Sequence, residues 1–167
     1  IRTGGFTKKN ITEAVEGSFQ RLQTDYLDLY QLHWPSRGVN CFGVRDYPYQ
    51  TATKEAENHL EILETLDAFV KAGTIKAIGL SNETPWGTMK YLQTAKDHNL
   101  VRPVTIQNSY SMIHRGYEVG LSEVSMREDI GLLAYSPLAQ GVLSGKYLDG
   151  KSPEGSRGNL FPRFIAR

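Results

Sequence analysis

The 167-residue chain contains a single cysteine, Cys41, so it cannot form an internal disulfide bond. It also lacks a long apolar run and a positively charged segment followed by an apolar one, the patterns of a transmembrane helix and of a secretory leader. These absences predict a cytoplasmic protein without a membrane partner, in which Cys41 is an incidental loop thiol.

Neither sign of charge dominates, with 19 basic against 18 acidic residues, and no basic cluster has aromatic residues between its members. Nothing therefore favours a nucleic-acid partner, and a small-molecule substrate is expected instead. Three histidines, His59, His98 and His114, show neither the close pairing nor the carboxylate spacing of metal ligands, so no metal site is predicted.

What the chain does contain is an alternation of helical and strand patterns. Asn10 and Glu13 form a capping-box pattern for the first helix, and Thr84-Pro85 supplies an N-cap and a first-turn proline for the third. The long stretch 36–54 has no periodicity and is interpreted as a functional loop. The predicted strands lie near 26–32, 75–80, 104–107 and 132–136, and the predicted helices cover 11–23, 56–71, 84–98 and 116–128.

Strands separated by helices imply parallel pairing with right-handed crossovers, in either a barrel or an open doubly wound sheet. All the predicted strands end in polar or aromatic pairs, which favours the rim of a barrel. A complete (β/α)8 barrel needs about 250 residues, so we expect residues 1–167 to form a single domain that is part of a TIM barrel, with about four strand-helix units. The pairs at the strand ends are His33-Trp34, Ser81-Asn82, Gln107-Asn108 and Tyr135-Ser136.

Three blocks, in order and with suitable gaps, carry a family resemblance: QRLQTDYLDLYQLHWP at 20–35, KAGTIKAIGLSN at 71–82 and YSPL at 135–138. They resemble the fourth, fifth and seventh strands of the aldo-keto reductase family. The loop at 40–43 is most similar to the bacterial Tas-like branch, and potassium-channel β-subunits are more distant relatives. The resemblance implies a barrel enzyme that uses NADP(H) to reduce aldehydes or ketones to alcohols.

The resemblance implies a catalytic role for His33. A neutral imidazole at a strand end can donate a hydrogen bond to a substrate carbonyl as negative charge develops on the oxygen. From position alone, the alternative is a half-buried histidine that holds its loop against Trp34.

Ser81, Asn82 and Gln107 match family positions that fix the nicotinamide carboxamide, because hydroxyl and amide groups can form hydrogen bonds with it. Tyr135 matches the tyrosine that stacks on the nicotinamide ring. Without the resemblance, Ser81-Asn82 would be interpreted as ordinary helix capping and Tyr135 as rim packing.

The resemblance extends to the cofactor phosphates. Lys146 and Arg157 are similar to basic residues that reach the phosphates, with a 2′-phosphate as a partner for the guanidinium. The alternative is that both are solvated surface charges. The residues that are similar to the loop around the pyrophosphate are Ser136, Leu138, Ala139 and Gln140.

Family members also use an aspartate, a proton-donating tyrosine and a lysine from strands that would precede Ile1, and no residue of this chain matches them. Asp25 and Asp28 are at the start of a strand and within it, so structural roles are expected for both. The chain alone is therefore expected to be nearly inactive, and self-association through exposed barrel edges is expected. A truncated, inactive or regulatory nucleotide-binding relative remains the alternative function.

Overall fold

The computed structural model describes residues 5–40, 46–47 and 58–162. Cys41 and most of the loop predicted over 36–54 lie outside the described residues. In chain order the elements are α1 Lys8–Leu22, β1 Leu27–Gln31, α2 His59–Lys71, β2 Ile75–Ser81, α3 Pro85–Asp97, β3 Pro103–Ser109, α4 Leu121–Glu128, β4 Gly131–Tyr135 and the short α5 Arg157–Leu160.

The four strands form one parallel sheet in the order β1-β2-β3-β4. Each new strand is added on the same side of the previous one, so the strand order never reverses as it does in a doubly wound sheet. The prediction of a partial (β/α)8 barrel is therefore confirmed, with four strands forming a half-barrel. All four predicted strands are present within a residue or two of their predicted ends.

The two faces of the sheet differ in burial. Ile78, Leu80 and Ile106 are at most 2% exposed and belong to the core that the strands share with α1, α2 and α3. The opposite face carries Gln31 and Thr105, which flank Gly79 so closely that a Cβ at position 79 would overlap the Thr105 hydroxyl. Glycine is therefore required at this position for the two neighbouring side chains to fit.

The first helix begins earlier than its predicted start. Its N-cap is Thr7, whose hydroxyl accepts a hydrogen bond from the backbone N–H of Asn10 at 3.3 Å. The Asn10 side chain turns back and donates to the Gly5 carbonyl at 3.1 Å. The prediction of Asn10 as the cap was wrong, because a threonine three residues upstream occupies that role.

The prediction of a helix over 116–128 was also partly wrong. The chain forms a short 3₁₀ turn at Gly116–Glu118, and α4 starts only at Leu121. Gly120 separates them with φ +100°, a conformation outside the helical region that glycine adopts readily. In contrast, Thr84 caps α3 and Pro85 occupies its first turn, as predicted.

Candidate functional site

The carboxyl ends of the four strands are joined by a network of hydrogen bonds centred on Asn82. The Asn82 side-chain amide donates to the main-chain carbonyl of His33 at 2.9 Å and to the Ser81 hydroxyl at 3.1 Å. Its side-chain oxygen accepts from the Tyr135 hydroxyl at 2.7 Å. The ends of β1, β2 and β4 are thereby tied together through one asparagine.

The third strand enters the same network through its backbone. The carbonyl of Gln107 accepts hydrogen bonds from the Ser81 hydroxyl at 2.8 Å and from the backbone N–H of Asn82 at 2.9 Å. His33, Ser81, Asn82, Gln107 and Tyr135 thus lie at one end of the sheet. The structure brings these predicted site residues together, while their roles toward a cofactor stay predictions.

The conformation of Asn82 explains how one residue makes so many contacts. It has φ +53°, in the left-handed region that asparagine tolerates better than most residues. This turn carries the chain out of β2 and directs the amide back across the strand ends. Asn82 is only 8% exposed, so its donors and acceptor need these partners.

His33 lies just beyond β1 with its side chain exposed, and its ring packs against Trp34 with a centroid separation of 4.4 Å. The alternative interpretation of His33 was a half-buried ring that holds its loop against Trp34. The contact with Trp34 is present, but the ring is exposed. An exposed imidazole beside the Asn82 network is also accessible to a substrate, so this contact and a catalytic role are compatible.

The chain leaves β4 through a tight turn in which Ser136, Ala139 and Gln140 all have positive φ, between +46° and +63°. The Gln140 amide donates to the Ser136 hydroxyl at 3.0 Å and closes the turn. Leu138 projects from it and is 56% exposed. Three residues other than glycine in this region store backbone strain, a feature that clusters at ligand-binding sites.

Lys146 and Arg157 flank one tyrosine. The backbone N–H of Gly158 donates to the Tyr147 hydroxyl at 2.7 Å, which joins the segment after β4 to α5. The pKa of Tyr147 is lowered, first by its hydrogen bond with Ser156, and smaller contributions of the same sign come from Lys146 and Arg157. Both positive charges therefore act at the same hydroxyl, although they are eleven positions apart in the sequence.

A buried ion pair that the sequence did not predict lies beside this network. The Arg37 guanidinium donates to both carboxylate oxygens of Glu83, with Nη1 at 3.0 Å from Oε2. Burial by itself would lower the pKa of Arg37, but the hydrogen bond and the charge of Glu83 outweigh it and raise that pKa. The one available signal was Glu83 itself, an acidic residue directly after the Ser81-Asn82 pair.

Asp28, for which a structural role is expected, forms an exposed cross-strand ion pair with Lys76 at 2.6 Å. Within residues 5–40, 46–47 and 58–162, no group of three or more His, Cys, Asp or Glu residues is placed to hold a metal ion. No helix in that part of the chain is long and apolar enough to span a membrane.

Comparison with known proteins gives a consistent assignment. The model of the "Aldo/keto reductase family" matches residues 2–160. "Protein tas" of Escherichia coli (strain K12) is 54% identical over 157 residues, which cover 94% of this chain and 45% of that protein. An "Aldo-keto reductase" of Babesia bovis is 40% identical over 179 residues and is covered to 63% of its length.

Among solved structures, the thermostable aldo-keto reductase Tm1743, crystallised with the inhibitor epalrestat, matches with a TM-score of 0.64 and 27% identity. The match covers 84% of this chain and 43% of that one. The chain therefore spans about half the length of the proteins it matches. On the family match, the sequence identity and the half-barrel together, the chain belongs to the aldo/keto reductase family of oxidoreductases.

Proposed function

We propose that this chain is part of an NADP(H)-dependent reductase that converts aldehydes or ketones to alcohols. The observation that carries the proposal is the convergence of His33, Asn82, Gln107 and Tyr135 at one end of the sheet, joined by the Asn82 hydrogen bonds. A reductase needs groups that orient the nicotinamide and a donor that stabilises the developing oxyanion, and these side chains are of the right types.

The groups left open at this end suit the proposed cofactor. Ser81 and Asn82 donate their own hydrogens within the network, so their oxygens would accept from the nicotinamide carboxamide. When bound, NADPH supplies the hydride. Ser81, Asn82 and Gln107 would hold the nicotinamide carboxamide, and Tyr135 would cover one face of the ring.

The turn closed by Ser136 and Gln140, together with Leu138 and Ala139, would lie along the pyrophosphate. Lys146 and Arg157 would neutralise phosphate charge, with Arg157 suited to a 2′-phosphate.

The role proposed for His33 is to donate a hydrogen bond from its imidazole to the substrate carbonyl oxygen. Negative charge develops on that oxygen during the reaction, so the bond is stronger in the transition state than in the ground state. The proton that completes the alcohol would come from residues outside these 167, because no tyrosine-lysine-aspartate set of the family pattern matches this chain.

The substrate would be a small carbonyl compound, and a cytoplasmic location without nucleic-acid or membrane partners fits such chemistry. Self-association is proposed for the isolated chain, because β1 and β4 each have one unpaired edge within the described sheet. Sedimentation of the 167-residue chain at increasing concentration tests this, and a monomer at all concentrations would contradict it.

The activity is tested with the protein encoded by the full reading frame that contains this chain. Loss of NADPH absorbance is followed with a panel of small aldehydes and ketones. We expect turnover by the wild type and a kcat about 10²-fold lower for His33→Ala. His98→Ala is the matched control, because His98 is exposed beyond the far end of α3.

Two results would contradict the proposal: no carbonyl-dependent oxidation of NADPH by the full-length protein, or equal rates for His33→Ala and His98→Ala. The same assay on the 167-residue chain alone is expected to give rates about 10²–10⁴-fold below the full-length protein, since the proton donor is proposed to lie outside these residues. A regulatory relative would bind NADPH without carbonyl turnover at full length.

A further inference from the structure

The ion pair between Arg37 and Glu83 is more enclosed than a surface salt bridge. The Arg37 side chain is 13% exposed and the Glu83 side chain 3%. Glu83 also accepts a hydrogen bond from the backbone N–H of Thr84 at 2.7 Å, and Arg37 donates to the Thr84 hydroxyl at 3.1 Å. A buried carboxylate with this many donors is fully compensated and holds one geometry.

The pair packs against the first turn of α3. The Arg37 guanidinium lies over the Trp86 ring, 4.9 Å from its centroid. A Cβ at Gly87 would overlap both the Glu83 carboxylate and the Arg37 guanidinium. Gly87 therefore leaves the space that the ion pair occupies, and the guanidinium is enclosed by a carboxylate, an aromatic ring and a helix start.

The position of each partner in the chain connects the pair to the candidate site. Glu83 directly follows Asn82, and its main-chain carbonyl accepts a hydrogen bond from the Asn108 side chain at 3.2 Å. Arg37 is four residues beyond His33, whose carbonyl is held by Asn82. The segment from His33 to Arg37 is thus anchored to the end of β2 at both of its ends.

We infer that Arg37 and Glu83 are positioning residues for His33, fixing the segment that carries the imidazole at the rim of the sheet. This inference rests on the proposed reductase function. The two side chains are buried against the start of α3, and both act through the backbone that leads away from His33. Two anchors over five residues limit the orientations of the ring, which catalysis by a hydrogen-bond donor requires.

The test is a double-mutant cycle in the full-length protein. Arg37→Lys keeps the charge but cannot form the two parallel hydrogen bonds. We expect it to lower kcat about tenfold in the wild-type background and to have no effect in the His33→Ala background, because the residue acts through His33. The Kd for NADPH is expected to stay within about twofold, since the cofactor side of the network is untouched.

Arg127→Lys is the matched control, because Arg127 forms an exposed ion pair with Glu123 on α4; it should leave kcat unchanged in both backgrounds. An Arg37→Lys effect of equal size in both backgrounds would overturn the inference, and so would unchanged kcat. If Arg37→Lys does not fold, the same cycle is carried out with Gly87→Ala. This substitution keeps the charges of Arg37 and Glu83 but displaces the ion pair.

A second readout separates this inference from the proposed function. The imidazole NMR signals of His33, assigned by their loss in His33→Ala, are expected to shift in Arg37→Lys while those of His98 do not. If the wild-type protein reduces no carbonyl compound, the proposed function fails and the NMR comparison still decides the positioning role. His33 signals that are identical with and without the substitution would overturn that role.

Discussion

The Tyr135 hydroxyl donates a hydrogen bond to the Asn82 side-chain oxygen at 2.7 Å, joining the ends of β4 and β2 across 53 residues of sequence. Tyr135 therefore has two separable properties, a hydroxyl that holds Asn82 and a ring proposed to stack on the nicotinamide. Substitutions that remove one property at a time can distinguish them.

Tyr135→Phe keeps the ring and removes the hydroxyl. We expect the free energy of unfolding of the full-length protein to fall by about 1 kcal/mol, the usual contribution of one hydrogen bond, with the Kd for NADPH within about threefold of wild type. Tyr135→Ala should weaken NADPH binding about tenfold, since it removes the stacking surface as well. Urea unfolding and fluorescence titration measure the two effects, and equal Kd values for the Phe and Ala variants would contradict the stacking role.

The Thr105 hydroxyl is buried beside Gly79 without a hydrogen-bond partner among the described residues. A buried hydroxyl without a partner costs stability, and valine has nearly the same shape. Thr105→Val is expected to leave the free energy of unfolding unchanged or to raise it by up to about 1 kcal/mol.

Thr65→Val is the control for Thr105, because the buried Thr65 hydroxyl donates to the Glu61 carbonyl at 2.7 Å. This variant should lose about 1 kcal/mol in the same urea experiment. Equal destabilisation by the two valine substitutions would show that the Thr105 hydroxyl has a partner.

The pKa of the Glu118 carboxyl is held below its usual value by hydrogen bonds first from Arg115 and then from Tyr110. Because the folded carboxyl is harder to protonate than the unfolded one, its carboxylate stabilises the fold above the unfolded pKa of about 4.3. That contribution is lost as the pH falls through the lower folded pKa.

The Tm difference between wild type and Glu118→Gln should therefore be present at neutral pH and should close in acid. Glu154→Gln, at another exposed position, is the reference for removing one surface carboxylate. A Tm difference for Glu118→Gln that grows as the pH falls would contradict the prediction.

Much of the fold could be predicted because its signals are local. The apolar spacing of α1 and α2, the short strand at Leu27–Gln31 and the Thr84-Pro85 start of α3 all depend on residues close together in sequence. The errors were local as well. The Thr7 hydroxyl took the cap assigned to Asn10, and Gly120 interrupts the helix predicted over 116–128.

The candidate site was predictable where its residues come at strand ends, because parallel strands bring those ends together. The Arg37–Glu83 pair was not, since its partners are 46 residues apart and their burial depends on Gly87 and Trp86 in a different element. No periodicity or residue spacing in the sequence indicates that Arg37 and Glu83 are paired or that they are buried. Long-range ion pairs depend on the packing of the whole rim.

We propose that the strand ends around Asn82 form the nicotinamide side of a reductase site. The most direct test is a crystal structure of the full-length protein with NADP⁺. We predict the nicotinamide carboxamide within hydrogen-bond range of Asn82, about 3 Å, and the ring against Tyr135, with His33 facing the open side of the ring. A nicotinamide bound at the opposite end of the strands, away from His33 and Asn82, would contradict the account.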